Sequence, residues 1–159
     1  DAEAMFELNS DPEVIKYTGD VSFESLEQTK DFIANYPDYS KNGFGRNAVI
    51  LNETGEFSGW CGLKKLPDGT VDIGYRFLKK HWNKGYATES AKAMLDFGFN
   101  NYGLTEIIGN ASVENPASIR VFEKLGMSYI TTRDYDGLGE TALYQISRIE
   151  HKNLLDQLI

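Results

Sequence analysis

Eight consecutive residues, His81-Trp82-Asn83-Lys84-Gly85-Tyr86-Ala87-Thr88, stand where one structural period gives way to another. Ahead of them Val71, Ile73, Tyr75 and Phe77 alternate with Asp72, Gly74 and Arg76, which predicts a strand with one apolar face. Behind them Ala87, Ala91, Met94, Leu95 and Gly98 recur at three- and four-residue spacing, which predicts a helix. The first N–H groups of a helix lack internal partners and carry the positive end of its dipole, so a phosphate can satisfy several at once. Gly85 removes the Cβ that would hold such an anion off the backbone, and Ala87 nearly does the same. Arg76, Lys79, Lys80 and Lys84 fall within nine positions of a chain with formal net charge -8, and read as the local basic exception that an acidic protein needs for a polyanionic ligand.

The rest of the chain must hold that turn in place. Residues 1–8 read as a short helix with Ala4, Met5 and Leu8 on one face, and Asp11-Pro12 opens a second helix with a cap and a first-turn proline. Ser22 is expected to cap a longer helix that turns Leu26, Phe32, Ile33 and Tyr36 inward and ends at Pro37. Residues 46–51 and 57–63 are β runs joined by Asn52-Glu53-Thr54-Gly55, and Pro67-Asp68-Gly69 leads into a strand over 70–78. Three strands so joined make an antiparallel meander, unlike the alternating order of a dinucleotide fold, and a full Gly-x-Gly-x-x-Gly is absent. A helix over 86–101 crosses to a strand over 107–113, which is therefore parallel to the strand before the helix. Asn115, Pro116 and Gly126 bracket a further helix, with Ile119, Phe122 and Leu125 inward. Residues 128–135 and 141–149 form a last hairpin around Asp136-Gly137-Leu138-Gly139. The expected class is α/β (α+β), a mixed and mostly antiparallel twisted sheet flanked by helices, in one domain over 1–159.

Composition narrows the function. With 41% hydrophobic and 25% charged residues, disorder is not the expected state. No apolar run approaches the roughly 20 residues needed to cross a bilayer, and no basic start precedes an apolar stretch, so neither a membrane partner nor export is expected. Cys61 is the single cysteine, which excludes an internal disulfide and fits a reducing, cytoplasmic setting. It lies in an apolar strand with no basic neighbour, so it is expected to be buried and inert rather than an acyl carrier. The net charge argues against a nucleic-acid surface and favours a cationic acceptor by steering. His81 and His151 are isolated, without ligand spacing, so no metal is expected, although His81 can line a ligand's mouth. Trp60 and Trp82 are expected to pack.

The run Trp82-Asn83-Lys84-Gly85-Tyr86-Ala87 resembles the signature Gln/Arg-x-x-Gly-x-Gly/Ala of the GNAT superfamily of acetyl-CoA-dependent N-acetyltransferases. Its fourth and sixth positions match, and Trp82 replaces the usual Gln or Arg. The order of the neighbours strengthens the resemblance: Asp72-Ile73-Gly74-Tyr75 ahead, then Asn115-Pro116-Ala117-Ser118 and Phe122-Glu123-Lys124-Leu125-Gly126 behind. The wording Trp-x-x-Gly-Tyr-Ala-Thr-Glu, with Asn-x-x-Ser and Glu-Lys-Leu-Gly, is similar to the branch of ribosomal-protein N-terminal (alanine/serine) acetyltransferases. The resemblance runs from residue 1 to about residue 150.

That resemblance implies a GNAT-like sheet with a splayed parallel strand pair around the cofactor, and a first strand ahead of residue 1 that this sequence does not show. It implies acetyl-CoA as co-substrate, held by Trp82, Asn83, Lys84, Gly85, Tyr86, Ala87 and Thr88, by strand backbone at Phe77 and Leu78, and by Asn115 and Ser118 along the pantetheine and pyrophosphate. Asn115 serves equally as a plain helix cap. Residues 16–21 form one acceptor wall, which places Tyr17 against substrate. Asp72 takes the position of an acidic residue facing the acceptor and is the expected base, acting directly or through water. Such a remote carboxylate suits an α-amine with pKa of about 8 better than a lysine at about 10.4. The usual acid, a tyrosine, is replaced by Phe122, which leaves Ser118 or water to protonate the leaving thiolate. The implied reaction is transfer of an acetyl group to a primary amine, such as a protein N-terminal α-amine, by direct attack on the thioester. A small-molecule amine such as an antibiotic or polyamine, a non-catalytic acyl-CoA sensor and a plain interaction domain stay open, as does a homodimer.

Overall fold

The computed structural model describes residues 1–135 and 137–159. Strands β1 (Arg46–Ile50), β2 (Phe57–Lys65), β3 (Val71–Phe77), β4 (Glu106–Ser112), β5 (Ser128–Tyr135) and β6 (Gly139–Ser147) form one sheet, ordered β1-β2-β3-β4-β6-β5. Every neighbouring pair is antiparallel except β3 and β4. Those two are linked by helix α5 (Tyr86–Asn101), and a crossover of that length returns the chain in the same direction. They pair at one position only, Asp72 with Ile108, and then part. The sheet is thus split from the middle of the molecule toward the ends of β3 and β4.

Register divides the sheet into two faces. Trp60, Gly62 and Lys64 of β2 lie beside Arg76, Gly74 and Asp72 of β3 on one face. The other face carries Cys61, Leu63, Ile73 and Ile107, which pack with Leu95 and Phe99 of α5, Phe122 of α6 (Pro116–Lys124), and Ile146 as the main core. A second, smaller core joins Leu8 of α1 (Ala2–Ser10) to Phe57, Trp60 and Leu78. Ala4 and Met5 pack against it, so the apolar face expected of the first helix is the one buried. Asp11 caps the four-residue α2 (Pro12–Ile15) by accepting from the Glu13 N–H at 2.9 Å.

Three elements depart from the sequence reading. Helix α3 spans Leu26–Ala34 and is capped by Ser25, not Ser22; the Ser25 hydroxyl accepts from Gln28 N–H at 3.1 Å. Its buried residue is Thr29, whereas Phe32 and Ile33 are 45% and 44% exposed and face the cleft described below. Their apolar character serves a wall rather than the core. Pro37 does not end that helix but starts α4 (Asp38–Asn42). Finally, the last strand stops at Ser147, and residues read as its end begin α7 (Arg148–Asp156). A reciprocal cap makes the switch: Ser147 Oγ accepts from Glu150 N–H at 3.2 Å, and Glu150 Oε2 accepts from Ser147 N–H at 2.7 Å. Of the hairpin turn expected at 136–139, Asp136 lies outside the described residues.

Candidate active site

Where β3 and β4 part, a cleft of about 1120 Å³ opens, large enough for a cofactor arm and an acceptor together. Its floor is the turn into α5. Leu78 donates its N–H to Ser58 O at 2.9 Å, His81 donates to Leu78 O at 2.8 Å, and the Trp82 indole donates to Phe77 O at 2.8 Å. The backbone that the resemblance assigns to a cofactor is therefore partly engaged within the protein, and Trp82 acts as a strut on the end of β3. Asn83 (φ 58°) and Gly85 (φ 84°) then take left-handed conformations that swing the chain into the helix. No side chain caps α5, and among the described residues the N–H groups of positions 83–88 make no hydrogen bond. A Cβ built on Gly85 would meet nothing within 4 Å. Glycine is required there by conformation, and the space beside it is open to an anion.

The basic cluster expected around this turn is not one cluster. Lys79 pairs with Glu13 and Lys80 with Glu56, both on the surface. Arg76 projects from β3 on the Asp72 face into the cleft wall, donating to Asn9 Oδ1 and Asp20 Oδ2 at 2.5 Å each. Lys79 and Lys80 lie beyond the end of β3, in a 3-10 turn (Lys79–His81) that carries them away from Arg76. Lys84 alone of the four has no carboxylate partner among the described residues. The groups left at this turn that could meet an anion are the free backbone N–H groups and Lys84. His81 is buried beside the Tyr86 ring, with Nε2 3.6 Å from Glu56 Oε1.

Across the parted strands, Asp72 and Asn110 meet: Asn110 Nδ2 donates to Asp72 Oδ2 at 3.0 Å, and Arg133 Nη2 donates to Asn110 Oδ1 at 3.0 Å. Burial pushes the Asp72 carboxyl above the usual carboxylate range, against the Asn110 hydrogen bond and the charges of Arg46 and Lys64, which pull it down. On the far side, Asn115 caps α6. Its Oδ1 accepts from the Ser118 N–H at 3.4 Å and its Nδ2 donates to Ser118 Oγ at 3.1 Å. The Tyr75 hydroxyl donates to Ser118 O at 3.1 Å with its ring edge on Phe122, and burial raises its pKa far above the ordinary tyrosine value. Phe122 is 2% exposed and belongs to the core, as its helical position predicts.

The residues expected to hold cofactor or acceptor line this one cleft, apart from Leu78, which is buried; of the expected basic cluster, Arg76 and Lys84 line it and Lys79 and Lys80 do not. Tyr17 lies on the wall, with the Lys16 ammonium 5.1 Å from its ring. The sequence reading passed over Arg46, Tyr75, Asn110 and Arg133. Asn110 and Arg133 carry no local signal, because strand pairing brings them to Asp72 from 38 and 61 positions away in sequence. Cys61 is 1% exposed, and burial pushes its thiol up to about 11, so it is inert as expected. Among the described residues no three His, Cys, Asp or Glu side chains are grouped to hold a metal, and no helix is long and apolar enough to cross a membrane.

A mixed sheet split at its only parallel pair, with an uncapped helix start beneath the split and a partly buried carboxylate at its edge, is the architecture of an acyl-CoA-dependent N-acetyltransferase. The profile of the family described as "Acetyltransferase (GNAT) domain" matches residues 1–128, and the chain belongs to that family. The N-acetyltransferase p20 of Bacillus licheniformis, itself described as uncharacterized, is 34% identical over 144 residues, covering 86% of this chain and 79% of that protein. A crystal structure of a GNAT-family acetyltransferase from Bacillus anthracis is 33% identical with a TM-score of 0.76, covering 92% of this chain and 89% of the other. The fold also matches spermidine N-acetyltransferase from Vibrio cholerae, solved with CoA and spermine, at a TM-score of 0.81 over 96% of this chain and 93% of that one, with 18% identity.

Proposed function

We propose that this acetyltransferase acetylates an α-amine, with Asp72 taking the proton as the amine attacks. The observation that carries the reading is the position of the Asp72 carboxyl at the fork of β3 and β4, oriented by Asn110 and facing the cleft whose floor is the open start of α5. Acetyl-CoA supplies the acyl group as a thioester. Backbone N–H groups of residues 83–88 and the Lys84 ammonium are suited to its pyrophosphate. The parted edges of β3 and β4, with the Asn115–Ser118 turn, are suited to its extended arm. The new N–C bond forms as the C–S bond breaks; the proton from nitrogen passes to Asp72 or its water, and the departing thiolate takes one from Ser118 or water.

A low-pKa α-amine fits this arrangement because one carboxylate, with no second base beside it, has less to do than for a lysine or polyamine. The ribosomal-protein N-terminal branch, whose wording the pivot shares, also acts on α-amines. Both a protein N-terminus and a small molecule offer that group. Calorimetric titration with acetyl-CoA, followed by thiol release on adding α-amine acceptors, tests the reading: micromolar binding and amine-dependent release are expected, and a folded protein that binds no acetyl-CoA rejects it. Phe122 in the tyrosine position supports a second reading, a non-catalytic acyl-CoA sensor. The sensor binds acetyl-CoA equally but releases no thiol with any amine.

A further inference from the structure

Arg46 opens β1 on the same face as Asp72, and its backbone is held at both ends by hydroxyls. Its N–H donates to the Tyr36 hydroxyl at 3.2 Å, and its carbonyl accepts from Tyr39. Register places Arg46 beside Gly62 and Gly62 beside Gly74, so the three lie in one row across β1, β2 and β3. The guanidinium crosses that row. It lies 4.3 Å from the centre of the Trp60 ring and rests over Gly74, where an added Cβ would come within 3.1 Å of its Cζ. A side chain at position 74 would displace it.

Two arginines thus share the face of Trp60, and they differ in one respect. Arg76, 5.2 Å from the ring centre, spends its donors on Asn9 and Asp20. Arg46 has no carboxylate partner and no side-chain hydrogen bond among the described residues; its Nε is buried without a partner, as is that of Arg76. A guanidinium held against Trp60 in a cleft wall, with no hydrogen bond or ion pair from its side chain, lacks the compensation that a partly buried cation ordinarily finds inside the protein. Its planar fork matches a carboxylate. Gly74 stands two residues beyond Asp72 on the same face, about 7 Å along the strand. One small molecule can therefore set an amine against Asp72 and a carboxylate against Arg46.

Resting on the acetyl-transfer reading above, we propose that Arg46 binds the carboxylate of the acceptor, which is an amino acid; pairing with Arg46 neutralises the charge that makes a free amino acid's amine more basic than a peptide's. The charges on this face agree. Asp20 is already paired with Arg76, and Arg46 and Lys64 flank Asp72, so a polycation would meet repulsion where a zwitterion finds a partner for each end. The overall charge of -8 points instead to a cationic acceptor, but local groups at contact distance outweigh a screened net charge.

The test compares α-, β- and γ-amino acids with their carboxamides, using spermidine and a tripeptide amide as controls, in the wild type and in Arg46→Gln. The wild type is expected to acetylate the acids with kcat/KM about 10- to 100-fold above the amides. Arg46→Gln is expected to lose that preference, the acid-to-amide ratio falling to about one chiefly through KM for the acid, and to keep its acetyl-CoA affinity; the lost charge beside Asp72 slows acids and amides alike and leaves the ratio unmoved, and Arg46→Lys is expected to recover part of the preference. Amides that equal acids in the wild type overturn the proposal even if the variant fails to fold, as does better use of spermidine or the tripeptide amide. An equal fall on acids and amides in Arg46→Gln overturns it too. Acetyl-CoA binding without acetylation of any amino acid removes this inference while leaving the cofactor site standing, whereas absence of acetyl-CoA binding removes both.

Discussion

Asn110 donates from β4 to Asp72 on β3 at 3.0 Å, two residues beyond the position where Ile108 pairs with Asp72 and the strands begin to part. Its carbonyl oxygen accepts from Arg133, so the amide is fixed with nitrogen toward the carboxylate. This bond stabilises the ionised form and opposes the burial that raises the Asp72 pKa. Replacing Asn110 by Leu removes the opposing influence. The acid limb of the kcat/KM profile is then expected to move to higher pH, with activity at neutral pH reduced and acetyl-CoA affinity kept. A pH profile measured with one acceptor decides the matter: a uniform loss at every pH would give Asn110 a purely structural role.

Asp72→Asn separates base from scaffold. If the carboxylate takes the proton, kcat is expected to fall by about 10²- to 10⁴-fold while calorimetric acetyl-CoA affinity stays within about 2-fold. Stability should move the other way. The folded pKa is raised, so the native state holds its proton longer than the unfolded chain, and stability drops as pH climbs from the ordinary Asp value through the folded one. The asparagine variant lacks that drop and is expected to melt no lower than the wild type at pH 7. Melting curves of both proteins from pH 4 to 8 follow the difference; parallel curves would show that Asp72 pays no burial cost.

Most of the sheet and the turn into α5 were legible in the sequence because their signals are local. Helix α5 was placed at 86–101 from small and apolar residues at helical spacing, and α6 from a cap, a first-turn proline and a stop glycine. The cleft walls around Asp72 were not, because their meaning depends on pairing across strands. Phe32 and Ile33 read as core residues until the fold places them on a cleft wall. Arg76 counts with the lysines in sequence, but it projects from β3 to Asn9 and Asp20 while Lys79 and Lys80 sit in the turn beyond the strand. The start of α7 was available locally, since Ser147 followed by Glu150 is a capping box, but the apolar residues before it read as a continuing strand.

Cys61 gives a check on the core that owes nothing to catalysis. Burial in β2, between β1 and β3, pushes its thiol up to about 11, so it stays protonated at pH 8. Native protein is expected to react with a disulfide reagent on the order of 10²-fold more slowly than protein in denaturant. Linkage has the same sign: thiol ionisation costs stability only as pH rises above the ordinary cysteine range toward 11. Rapid labelling at neutral pH without unfolding would show that β2 is not closed over by α5.

Gly85 joins conformation to binding, and one substitution can pull the two apart. At φ 84° an alanine is expected to cost about 1–2 kcal/mol, because the left-handed region brings its Cβ against the following carbonyl. No protein atom lies within 4 Å of that Cβ, so packing adds nothing further. The methyl group would instead project beside the free N–H groups of residues 83–88. With a phosphate seated there, Gly85→Ala is expected to weaken acetyl-CoA by about 10-fold or more, with a smaller effect on the acceptor KM. Melting temperature and calorimetric affinity, measured on the same preparation, keep strain and binding apart. A lowered melting temperature with unchanged affinity would mean that the cofactor's phosphates do not approach the start of α5, and that Lys84 and the parted strands hold it elsewhere.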